Sequence, residues 1–75
     1  MDESGLKKIL DEHKIWKDTH GKKGNRFVLL YADLRGANLV DADLRGASLK
    51  ADDLVDAHFR FADFNGAKLT GAKLT

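Results

Sequence analysis

Leucine or phenylalanine stands at every fifth position over most of the chain: Leu29, Leu34, Leu39, Leu44, Leu49, Leu54, Phe59, Phe64, Leu69 and Leu74. A period of five fits neither an α-helix nor a long strand. The residues between supply the explanation. Two positions before each Leu or Phe sits Ala32, Ala37, Ala42, Ala47, Ala57, Ala62, Ala67 or Ala72, with Phe27 and Asp52 as the exceptions. A polar residue usually lies between them, as at Asp33, Asn38, Asp43, Asp53 and Asp63. Ala-Asp-Leu therefore reads in-out-in, which is strand alternation sustained for only three residues.

The next two residues are commonly polar or Gly, as in Arg35-Gly36, Arg45-Gly46, Asn65-Gly66 and Thr70-Gly71. Gly in the second slot suits a corner with positive φ, as in a type II turn. Each unit is one short side plus one corner. Such a unit cannot bury its apolar face alone, so successive passes of the chain must stack at the sheet spacing of ~4.8 Å. Tyr31 and Phe61 occupy the slot where Gly is common. Bulky residues resist positive φ, which predicts a different turn at those two corners. Asp52 occupies an inward slot, where a carboxylate is costly unless hydrogen-bonded. Either it bonds corner amides or it distorts the coil locally.

The runs Ala32-Asp33-Leu34-Arg35-Gly36, Ala37-Asn38-Leu39 and Ala42-Asp43-Leu44-Arg45-Gly46 closely resemble the Ala-(Asp/Asn)-Leu-x-x units of the pentapeptide-repeat family. The resemblance covers residues 27–75 and implies an all-β solenoid. The family's fold is a right-handed quadrilateral β-helix with four repeats per coil, here about two and a half coils.

Residues 1–26 read as an N-terminal capping helix and loop. Ser4 is the expected N-cap of a helix over 4–19. Leu6, Ile9, Leu10, His13 and Trp16 share one face at helical spacing. That face is suited to cover the first coil of the 27–75 solenoid, because solenoid ends expose apolar side chains and unpaired backbone. Ile15 lies off the stripe, free to pack on the Phe27–Tyr31 segment or on a partner. At the other end the repeat register runs to Leu74 with no matching cap, so either the natural chain continues or a second subunit covers the last coil; the favoured expectation is a tail-to-tail homodimer through Phe64, Leu69 and Leu74.

The chain has 75 residues, no cysteine, and 13 basic against 12 acidic residues. Disulfides and thiolate metal sites are excluded, and the balanced charge gives no gross pull toward nucleic acid or an anionic membrane. No apolar run approaches the ~20 residues that cross a bilayer, and no signal-peptide pattern opens the chain. The expectation is a cytoplasmic protein without membrane attachment or direct nucleic-acid contact.

His13, His20 and His58 fall on unrelated parts of this layout, so no shared catalytic or metal site is expected. The aspartates belong to the outward polar slot, with Asp33 stacked on Asp53 and Asp43 on Asp63. The basic loop 21–26 lacks the strand and helix context of a phosphate loop. No catalytic residue and no cofactor is therefore expected. Val40, Val55 and Phe61 occupy outward slots that are usually polar or small, and Phe61 stands beside Arg60 and His58 with the composition of a binding hot spot. A non-catalytic protein-binding or scaffolding module is the leading expectation. The alternative that the family resemblance implies is a DNA mimic acting on a type II topoisomerase. It calls for dense negative charge, whereas the stretch from Phe27 onward has seven acids and six bases.

Overall fold

A computed structural model describes residues 2–75. Its one helix, α1, spans Glu3–Asp18. The N-cap is Asp2, not Ser4: Asp2 Oδ1 accepts the Gly5 N–H at 2.7 Å. A carboxylate at this end satisfies an otherwise unpaired amide and also faces the positive end of the helix dipole. Thr19 closes the other end, its hydroxyl donating to Ile15 O at 2.7 Å and accepting from Lys23 N at 3.0 Å. The loop then folds back along α1. Asn25 donates its backbone N–H to Glu12 O at 3.1 Å and its side-chain amide to Glu12 Oε1 at 3.0 Å. Gly24 makes this approach possible, because a Cβ there would lie 2.4 Å from Glu12 O.

From residue 28 onward the chain passes over itself every 20 residues. Single-residue parallel bridges join Val28 to Ser48, Asp33 to Asp53, Asn38 to His58, Asp43 to Asp63, Ser48 to Lys68 and Asp53 to Lys73. With one corner every five residues, each 20-residue layer has four sides. The first side carries Val28, Ser48 and Lys68; the second Asp33, Asp53 and Lys73; the third Asn38 and His58; the fourth Asp43 and Asp63. Backbone bonds tie the layers on each side, such as Leu39 N–H to His58 O at 2.7 Å and His58 N–H to Ala37 O at 2.9 Å.

The corners are more uniform than the sequence leads one to expect. Gly36, Gly46, Gly66 and Gly71 have positive φ, but so do Tyr31 (57°), Asp41 (60°), Ala51 (59°), Asp56 (64°) and Phe61 (61°). Tyr31 and Phe61 thus share the glycine conformation, and the different turn anticipated for them is not adopted. Stacking is the reason at Phe61: Asp41 N–H donates to Arg60 O at 2.8 Å, and Ala62 N–H closes the corner onto Phe59 O at 2.8 Å. These bonds fix both faces of the corner peptide against the ~1–2 kcal/mol that a left-handed side-chain-bearing residue costs.

The polar slot also serves the corners. Asp33, Asn38, Asp43, Asp53 and Asp63 each accept, through Oδ1, the N–H of the residue two positions on, at 3.0–3.2 Å. This side-chain mimic of a turn explains why Asp and Asn recur there.

Apolar burial grades along the stack. Leu34, Leu39, Leu44, Leu49 and Leu54 are all at most 2% exposed, and Leu6 of α1 joins their cluster with Ile9 and Leu10 packed against it. Phe59 and Phe64 meet edge to face at 5.6 Å but are only half-buried. Leu69 is 36% exposed and Leu74 50%. The inward column is therefore not of even weight.

Candidate partner-binding surface

His13 joins α1 to the repeats. It is fully buried, accepts the Phe27 N–H at Nδ1 (2.9 Å) and donates from Nε2 to Arg45 O (2.9 Å). Both ring nitrogens are thus used, and the two bonds require the Nε2–H tautomer. Trp16 stacks on the imidazole at 5.6 Å, with Phe27 edge-on at 6.3 Å. His20 and His58 are exposed. Among the described residues no group of three or more His, Asp or Glu is placed to hold a metal ion.

Asp52 does engage a corner amide. Its Oδ1 accepts the Ala32 N–H at 2.9 Å, in the layer before its own. The other corners close an amide onto the carbonyl three residues back, as in Ala37 N–H to Leu34 O; at Ala32 the carboxylate takes that place. Asp52 Oδ2 is buried without a hydrogen-bond partner. Desolvation raises the Asp52 pKa above the usual carboxylate value, with the Ala32 bond opposing it.

The outward aspartates behave differently. Arg35 grips Asp33 through Nε and Nη2, both at 3.0 Å, and Arg45 grips Asp43 at 2.8 and 2.6 Å. Side-chain hydrogen bonds from the guanidinium hold each carboxyl at a pKa of about 2. These charges are committed to corner geometry and paired cations, an arrangement that suits neither a general acid nor a general base.

Four of the residues singled out for partner contact lie together. Arg60 and Phe61 form the corner between the third and fourth sides, Val40 stands in the layer above Arg60, and His58 lies on the third side beside them. Phe61 is 81% exposed and Val40 41%. The Arg60 guanidinium sits 5.9 Å from the Phe61 ring centre, within cation–π range. Val55 is half-buried at the opposite edge of the third side. A groove lined by Leu6, Leu10, Val40 and Ala42 runs between α1 and this corner. Ile15, off the helix stripe as expected, is 42% exposed. Phe64, Leu69 and Leu74 lie toward the last-formed layer, where burial is lowest.

A second exposed group was not anticipated. Val28 is 55% exposed, Leu30 62% and Tyr31 78%, all in the first layer. Their position just before the regular Ala-Asp-Leu units hid them. Projecting the sequence onto four sides at the 20-residue period makes the group visible.

Stacked five-residue units with uniform corners define a repeat protein of layered turns. The family model for pentapeptide repeats matches residues 28–51 and 53–75 in eight copies. The chain belongs to the pentapeptide-repeat family, whose members are in general non-enzymatic structural or binding modules. The one internal residue between the two matched segments is Asp52, the inward slot that departs from alanine. No match was found among curated proteins or among solved structures. No helix among the described residues is long and apolar enough to cross a membrane.

Proposed function

We propose that the chain is a non-catalytic protein-binding or scaffolding module that contacts its partner through Phe61, Arg60, Val40 and His58, with Val55 at the edge. One observation carries this reading. Phe61 projects 81% of its surface into solvent from a φ of 61°, while glycine fills Gly36, Gly46, Gly66 and Gly71 at equivalent corners. A strained, exposed aromatic beside an arginine contributes little to the fold and has the make-up of a hot spot. The test is affinity capture from the source cell with wild type and Phe61→Gly, a variant that keeps the corner conformation. A partner retained by wild type and lost by Phe61→Gly is expected, at thermal stability that is unchanged or raised because the left-handed corner no longer carries a side chain. Equal capture by both, or recovery of the bait alone, overturns the reading.

The 20-residue register supports reading the layers as about two and a half coils of a right-handed quadrilateral β-helix, with residues 1–26 as its cap and 27–75 as its body. Low burial at Leu69 and Leu74 supports a tail-to-tail homodimer through Phe64, Leu69 and Leu74. Leu74→Asp is expected to shift this chain toward monomer in sedimentation, and a monomeric wild type at tens of micromolar excludes the dimer. A cytoplasmic location, with no cofactor, nucleic acid or membrane, belongs to the same reading. DNA mimicry of a topoisomerase substrate draws no support from the charges, since Arg35 and Arg45 neutralise Asp33 and Asp43 on the surface.

A further inference from the structure

The near-neutral total conceals a segregation of charge. The acids of the repeat region are Asp33, Asp41, Asp43, Asp52, Asp53, Asp56 and Asp63. Apart from the buried Asp52, they stand on the second, third and fourth sides and the corners between them. The first side and its flanking corners, residues 26–31, 45–51 and 65–71, contain no acid. Arg26, Lys50 and Lys68 project there, one from each layer, and among the described residues none pairs with a carboxylate. Arg26 is held in place by donating its Nε–H to Gly46 O at 2.8 Å. Beside these cations lie the exposed Val28, Leu30 and Tyr31, while Ser48, 7% exposed, leaves the middle of the side flat. At the Tyr31 corner the second side begins, where Asp33 and Asp53 lie beside Arg35 and so are charge-compensated.

We propose that this first side docks an acidic protein segment that also carries apolar side chains. The inference rests on the reading of the chain as a protein-binding module, but it uses different residues from the Phe61 corner. Three unpaired cations on a side whose own residues include no acid complement carboxylates. Val28, Leu30 and Tyr31 supply the apolar contact that gives such a segment affinity. Two other anionic classes fit less well. Single-stranded nucleic acid needs successive stacking platforms, and only Tyr31 offers one. Anionic lipid recognition generally uses clusters of about 4–8 basic residues, more than the three here.

The test is selection of a random dodecapeptide phage library on the full chain, with fluorescence anisotropy on the enriched peptides. Peptides rich in Asp, Glu and large apolar residues are expected. Their binding should weaken about tenfold or more in Lys50→Glu/Lys68→Glu and in Leu30→Ser, fall with added salt, and persist in Phe61→Gly. Failure to enrich any peptide, enrichment of neutral or basic ones, or equal binding to the charge-reversed variant overturns the inference. Peptides that lose binding in Phe61→Gly alone overturn it while leaving the Phe61 reading intact. Tighter lysine-dependent binding of oligothymidylate or phosphatidylserine vesicles assigns the surface to those partners instead. A sedimentation change caused by Lys50→Glu/Lys68→Glu in the absence of peptide assigns it to a second copy and likewise overturns the proposal.

Discussion

Replacing Leu49 by alanine probes the core where it is best enclosed. Leu49 is 0% exposed and sits in the middle layer with a leucine or phenylalanine column above and below. Leu→Ala removes three carbons, so the transfer loss is ~2.4 kcal/mol at ~0.8 kcal/mol per carbon. The surrounding layers are pinned by backbone bonds, such as Leu49 N–H to Lys68 O at 2.8 Å, and cannot collapse freely into the void. A cavity contribution therefore adds, for an expected total of ~3–5 kcal/mol. A chain of 75 residues has roughly 4–11 kcal/mol of stability in all. Leu49→Ala should thus lose much of its cooperative urea transition. Leu69, in the same slot but 36% exposed, should lose only about two thirds of the transfer contribution and no closed cavity, ~1.5 kcal/mol. Urea titrations followed by Trp16 fluorescence, at low micromolar chain, compare the two. Equal costs at Leu49 and Leu69 would refute the axial gradient of burial. Repeating the pair at high concentration adds a second check, because a dimer through the last layer makes the Leu69 cost rise with concentration.

Three further outcomes follow from particular contacts. Asp52→Asn removes a carboxylate whose folded pKa is raised, so wild type should lose stability relative to the variant as pH rises from about 3.8 through the folded pKa; parallel melts with a pH-independent gap would contradict this. Asp33 and Asp43 have lowered values, so their contribution is present above about 3.8 and is lost as pH falls toward about 2, and Asp43→Asn should flatten the acid limb of a stability profile. His13→Ala leaves the Phe27 N–H and Arg45 C=O without their partner, an expected loss of ~2–4 kcal/mol read as earlier proteolysis of α1 and altered Trp16 emission; unchanged protease resistance would exclude His13 as the link to the repeats.

Much of the layout was legible from period alone. The inward leucines, the Asp-on-Asp columns and the helix face carrying Leu6 and His13 follow from spacing, because each depends on local alternation. What escaped depends on residues one layer away. The φ of Phe61 is held by bonds across the stack, and local propensity argues against it there as at Tyr31. The partner of Asp52 is an amide 20 residues earlier, which no local pattern marks. Phe59 carries the same letter pattern as its column mates, yet its burial depends on what stacks on it. At the N-terminus both Asp2 and Ser4 are good caps, and the choice turned on which of them left an extended residue ahead of the first helical turn. The surface around Val40 and Phe61 was visible as apolar letters in polar slots. The first side was not, because its character is the absence of acids from three separate stretches of sequence.

Uniform corners have a consequence for how such chains change over time. Since Gly36, Asp41, Ala51 and Phe61 all take the same backbone shape, adding or deleting one five-residue unit leaves the interior in register. Every side chain beyond the change, however, moves round by a quarter turn. Adding or deleting a whole 20-residue layer instead restores each side to its old direction. Where a residue points is therefore set by its number modulo twenty. A single-unit insertion between residues 33 and 48 would carry Lys50 and Lys68 off the side that holds Val28 and Asp52 off the Ala32 N–H, while the inward leucines keep their slots.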